Sequence, residues 1–146
     1  MIVDRQRKVK VARNELSRFL GRIRRELRLE HAEISVALVS DAEMSRLNKA
    51  YRNKIGPTDV LSFPAQAGLR RSSDRRSLIA GRSFGDIAIA PATARRYARR
   101  NGRTLTNELR VLLLHGVLHL LGYDHETDQG QMNRIERKLR RRLGLA

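Results

Sequence analysis

Val111-Leu112-Leu113-Leu114-His115-Gly116-Val117-Leu118-His119-Leu120-Leu121-Gly122-Tyr123-Asp124-His125 is the stretch around which the rest of the 146-residue chain organises. Apart from two imidazoles, its residues up to Leu121 are apolar or glycine on every side, the mark of a helix buried in a core rather than of an amphipathic surface helix. His115 and His119 are four residues apart, so on that helix they lie one above the other on a single face. Gly122 supplies the left-handed turn that ends the helix, and His125 follows where a chain reversal can return it to the same place.

Imidazoles on an apolar helix need partners, since an unsatisfied buried polar group costs on the order of 1 to 3 kcal/mol. One shared cation satisfies both rings, and the spacing HxxxHxxxxxH offers a third ligand. Three of the chain's four histidines fall in this segment. Three imidazoles leave a tetrahedral ion one open position, which distinguishes catalytic zinc sites from closed structural ones. An ion so placed activates water near neutral pH. The expectation is a metal-dependent hydrolase with one Zn2+ per chain on His115, His119 and His125, although three imidazoles also suit other transition metals. The spacing matches the HExxHxxGxxH signature of one metallopeptidase group too, but there a Glu base follows the first His, where this chain has Gly116. A metallopeptidase-like hydrolase would have to recruit its base elsewhere.

Outward from this helix, the upstream elements alternate. Met1–Val3 reads as a short strand, and Leu16, Phe19, Leu20, Ile23 and Leu27 recur at helical spacing within Val9–Leu29. Ile34–Val39 is a β-branched, mostly apolar strand, and Ser40-Asp41-Ala42-Glu43 is a capping box opening a helix toward Ala50. Tyr51–Thr58, with Gly56-Pro57, is a loop; Asp59–Phe63 alternates as a strand and stops at Pro64. Ala65–Ser83 lacks periodicity and carries five Arg, four Ser and two Gly, so a long mobile basic loop is expected there. Gly85–Ala90 is the last strand. Pro91 stands at the first position of a helix running to about Arg100.

Thr104 or Thr106 caps the central helix, with Glu108 in its first turn. A closing helix spans about Asp128–Leu143, its basic end suited to the helix dipole. The sum is one α+β (mixed α/β) domain over residues 1–146. About four strands in a mixed sheet pack with four or five helices, and the metal-binding helix is central.

Composition narrows the partners. There is no cysteine, so disulfides and thiolate metal sites are excluded. Val111–Leu121 falls short of the roughly 18 apolar residues of a membrane span, and the N-terminus lacks a signal-peptide core, so a cytoplasmic protein with no membrane partner is expected. Lys and Arg number 31 against 15 Asp and Glu, a net charge of +16 that draws in polyanions. Only five of those bases are Lys; the Arg fork matches phosphate oxygens. Six aromatic residues, none of them Trp, are too few for an extended base-stacking platform, so backbone contacts should dominate.

His115-Gly116-Val117-Leu118-His119-Leu120-Leu121-Gly122-Tyr123-Asp124-His125 resembles the HGxLHLxGYDH signature of the YbeY family. Tyr51-Arg52-Asn53, Pro57-Thr58-Asp59-Val60-Leu61-Ser62-Phe63-Pro64 and Gly85-Asp86-Ile87 resemble the family's other blocks, in the same order. The resemblance covers most of the chain from Ser35 onward. It implies a metal-dependent endoribonuclease that prefers single-stranded RNA and acts in ribosomal-RNA maturation at the small-subunit 3′ end and in ribosome quality control. The implied partners are rRNA and the small subunit, with no DNA specificity. By the same resemblance the metal ligands fall on His115, His119 and His125, and a functional arginine on Arg52, where a guanidinium could stabilise charge on a phosphate. Asn53 departs from the family, which often has Gly there.

The competing reading is a non-catalytic RNA-binding ribosome-assembly factor with a structural metal. Asp124 is expected to orient an imidazole or close the turn, Asp59 and Asp86 to cap or brace, and His31 to stand exposed. Oligomeric state is left open.

Overall fold

A computed structural model describes residues 1–65, 82–124 and 128–145 of the chain. In order, the elements are β1 (Ile2–Asp4), α1 (Arg13–Glu26), β2 (Ala32–Leu38), α2 (Asp41–Arg52), β3 (Val60–Pro64), β4 (Arg82–Ile89), α3 (Pro91–Arg100), α4 (Leu105–Leu120) and α5 (Gln131–Leu143). Among the described residues the α+β class, the four-stranded mixed sheet and five helices agree with the expectation from sequence. Strand β4 starts at Arg82, so the last two residues of the segment expected to be a loop over 65–83 are strand; residues 66–81 of it lie outside the described residues, as does His125.

Local chemistry sets the element ends. The Ser40 hydroxyl accepts from the Glu43 N–H at 3.1 Å and opens α2, and Asn53, at φ 55°, closes it in the left-handed conformation that Asn tolerates better than most residues. Thr104, not Thr106, caps α4, accepting from the Asn107 N–H at 3.1 Å. Helix α1 begins four residues later than its apolar pattern suggests, because the buried Gln6 side chain bonds both the N–H (3.0 Å) and the carbonyl (2.8 Å) of Val9 and holds that segment out of the helix. Helix α5 likewise begins at Gln131, while Asp128 accepts the Gly130 and Met132 N–H groups at 2.9 Å each.

The sheet order is β1-β2-β4-β3, with β1 and β4 parallel to β2 and β3 antiparallel to β4. Alternation along the strands splits the core in two. Ile34, Val36, Leu38, Ile87 and Ile89 face the layer of α1, α4 and α5, whereas Val39, Leu61 and Ala88 face Met44 of α2. Helix α4 is the hub and packs on α1, α3, α5, β3 and β4. Its Leu113, Leu114, Val117 and Leu118 are fully buried, each worth roughly 1.5 to 3 kcal/mol of removed apolar surface. Among the described residues no helix is long and apolar enough to cross a membrane.

Gly116 lets α4 approach the sheet. A Cβ at this position would stand 3.0 Å from Ile87 Cδ1 and 3.3 Å from Ser62 Oγ. The Ser62 hydroxyl instead donates to the Gly116 carbonyl at 3.0 Å. The residue after the first histidine therefore faces β3 and β4, where even a Cβ would be crowded, so a Glu base of the metallopeptidase kind does not fit at this position.

Candidate active-site cleft

The C-terminal half of α4 forms one wall of a cleft of about 600 Å³, and the segment from the end of α2 through β3 forms the other; Arg52, Asp59, Ser62, His115, His119 and Asp124 are among its lining residues. The turn after α4 is built as its sequence requires. Gly122 sits at φ 98°, its N–H bonds the His119 carbonyl at 2.9 Å, and the Tyr123 N–H reaches the Leu118 carbonyl at 3.1 Å, a Schellman closure. Tyr123 packs against the core, so the chain folds back over the end of the helix and Asp124 joins the cleft wall. His125 would come next, outside the described residues.

The two helical histidines meet as their four-residue spacing predicts. Their Nε2 atoms are 3.1 Å apart, and the rings cross at 73° with centroids at 4.6 Å. Zinc–imidazole bonds of about 2.0 to 2.1 Å at a tetrahedral angle set two nitrogens roughly 3.3 Å apart, so this pair fits a shared ion with a few tenths of an ångström of adjustment. Among the described residues no group of three or more His, Cys, Asp or Glu could hold a metal. On its other side the His115 ring places Nδ1 3.0 Å from Glu136 Oε1, and Glu136 Oε2 accepts from the Arg140 guanidinium at 3.0 Å.

Asp59 enters β3 from the loop and lies largely buried in the cleft wall. Burial pushes its carboxyl above the ordinary 3.8, against the N–H groups of Val60 and of Asp59 itself; the charge of Glu108 adds to the rise and that of His115 opposes it. The Asp59 carboxyl thus accepts from N–H groups at the strand entry and also lines the cleft. Arg52 is the last residue of α2, exposed on the cleft rim. Asp86 lies mid-strand in β4 and lines a second hollow on the other face of the sheet. His31 is exposed, as expected.

Glu136 and Ser62 were not anticipated. A signal for Glu136 is present in the sequence, because Met132, Glu136, Leu139 and Leu143 recur at helical spacing and put an acid on an otherwise apolar stripe. Ser62 carries no comparable signal, since its partner is a backbone carbonyl 54 residues away.

A four-stranded mixed sheet under a buried helix, with paired imidazoles in a cleft rimmed by arginine, defines the class of fold and site. The family model described as Endoribonuclease YbeY matches residues 1–144, and the chain belongs to the YbeY family. It is 41% identical over 133 residues to the endoribonuclease YbeY of Solibacter usitatus, spanning 91% of this chain and 80% of that protein. To the endoribonuclease YbeY of Koribacter versatilis it is 40% identical over 145 residues, 99% of this chain and 86% of the relative. The solution structure of TM1509 from Thermotoga maritima superposes with a TM-score of 0.64 at 28% identity, covering 98% of this chain and 89% of that one.

Proposed function

We propose that this chain is a metal-dependent endoribonuclease that cuts single-stranded ribosomal RNA in small-subunit 3′-end maturation and in ribosome quality control, working in the cytoplasm. Its family relatives carry the name endoribonuclease. The observation that carries the reading is the pair of facing Nε2 atoms, 3.1 Å apart, in a cleft that Arg52 also lines. His115, His119 and His125 would hold one ion, taken to be Zn2+; the third assignment rests on sequence spacing and on the family motif. Bound there, zinc supplies Lewis acidity toward a phosphate oxygen and toward water.

The chain's own side chains do the rest. Arg52, charged at any working pH, holds the scissile phosphate and stabilises the charge that develops on it. Asp59, raised by burial, sits in the cleft wall where it can hold or pass a proton near the reacting groups. The excess of Lys and Arg over Asp and Glu draws the RNA backbone in without selecting its sequence.

The test is cleavage of a single-stranded RNA carrying the small-subunit 3′ end, by native protein, by protein stripped with chelator, and by His115→Ala and Arg52→Ala. Cleavage that disappears with the ion and returns on adding zinc supports the reading. RNA binding without cleavage in every condition would instead make the chain an assembly factor with a structural metal.

A further inference from the structure

Helix α5 packs on α4 through Met132, Leu139 and Leu143, all buried, and Glu136 stands in the same stripe with its side chain 14% exposed. A carboxylate in such a place costs free energy unless its oxygens are bonded. Both are. Oε2 accepts from Arg140, one turn further along α5, and Oε1 meets Nδ1 of His115 across the helix interface, each at 3.0 Å. A carboxylate that already accepts from a guanidinium offers only acceptors, so the hydrogen in the second contact must come from His115 Nδ1. In a neutral imidazole the other nitrogen then carries the lone pair. That nitrogen, Nε2, is the atom turned toward His119.

We propose that Glu136 is the positioning residue of the site: it fixes His115 in the Nδ1–H tautomer and holds its ring so that the Nε2 lone pair points at the ion, with Arg140 anchoring the carboxylate from behind. This rests on the metal reading above. The arrangement links α5 to the chemistry, because a shift of α5 against α4 would move the ring. Outer partners of this kind orient ligating histidines and raise their basicity, and their loss weakens metal binding by about 10- to 100-fold.

Two measurements test it. The first is the protonation pattern of the His115 ring nitrogens by 15N-edited NMR in metal-free protein, at a pH where the ring is neutral. The hydrogen is expected on Nδ1 in the native chain and is released to favour Nε2 in Glu136→Ala. The second is zinc affinity by chelator competition, with the thermal midpoint recorded alongside. Glu136→Ala should bind about 10- to 100-fold more weakly. Glu136→Gln, which keeps an acceptor but can also donate, should fall between the two; it carries the measurement if the alanine variant does not fold.

A hydrogen on Nε2 in the native chain, or zinc affinity unchanged in Glu136→Ala while native protein binds zinc, would overturn the proposal. Native protein that binds no zinc would sink the metal reading instead, and the NMR pattern would still decide whether Glu136 sets the tautomer.

Discussion

The hydroxyl of Ser62 donates to the carbonyl of Gly116 at 3.0 Å, pinning the C-terminal half of α4 to β3 where an added Cβ would crowd the sheet. The bond sits between two histidines of the same helix, so it also sets the depth at which both rings enter the cleft. A side chain at 116 would strike Ile87, which is almost wholly buried and cannot withdraw. Gly116→Ala gains about 1 kcal/mol of helix propensity but overpacks the contact, which typically costs 1 to 3 kcal/mol, so a small net loss is expected. Gly116→Glu buries an unpaired charge as well and should lose on the order of 3 to 5 kcal/mol. Urea midpoints of the two variants check this, and a neutral Gly116→Glu would mean the helix can lift off the sheet.

Purified protein should contain about one zinc or similar transition-metal ion per chain. His119→Ala is expected to lose it. Because the proposed site ties α4 to the segment after its terminal turn, stripping the ion should also lower the thermal midpoint by mass action. Elemental analysis and thermal melts with and without zinc decide the matter; full metal content in His119→Ala would remove that residue from the ligand set.

Arg52→Ala should keep the fold and the zinc yet cut RNA about a hundredfold more slowly or worse, by comparison with removing one preorganised charge-stabilising donor. Arg52 is exposed at a helix end, so circular dichroism should be unchanged. Cleavage at the native rate would return Arg52 to the general basic surface.

Asp59 gives a pH dependence of defined sign. Its folded-state pKa is raised above 3.8, so the folded protein holds the proton more tightly than the unfolded chain. The stability this contributes is complete below 3.8 and is lost as pH rises through the higher folded value. Asp59→Asn stays neutral throughout. Its stability relative to the native chain should therefore improve between pH 3.5 and pH 7 in urea titrations of metal-free protein. A difference that stays flat with pH would contradict burial as the controlling influence.

Single-stranded RNA binding should weaken steeply with salt, with a log–log slope of about 0.7 per phosphate neutralised, because the net charge is +16 and few aromatic side chains are available to stack on bases. Replacing Arg70, Arg71, Arg75 and Arg76 together should weaken binding for all sequences alike. Filter-binding or anisotropy titrations between about 50 and 200 mM salt measure the slope; a flat response would rule out a mainly electrostatic grip.

What the sequence determined by itself is local. The stacking of His115 over His119, the left-handed close at Gly122, the cap at Ser40 and the alternation in β2 all depend on hydrogen bonds and periodicities spanning a few residues, so neighbouring letters suffice to read them. Even there, one local bond was not legible from periodicity: the Gln6 side chain ties up the backbone of Val9, three residues on, and holds it out of α1. What joins distant segments was decided only by packing. Arg52 and Asp59 come to the His115 cleft because β3 pairs with β4 and lies beneath α4, and Glu136 reaches His115 because the apolar stripe of α5 can be buried in one orientation. On the side of α4 that meets the sheet stands Gly116, where an added Cβ would crowd Ile87 and Ser62. Such pairings close long loops and are selected by the shape of the whole core, a property carried by no short run of residues.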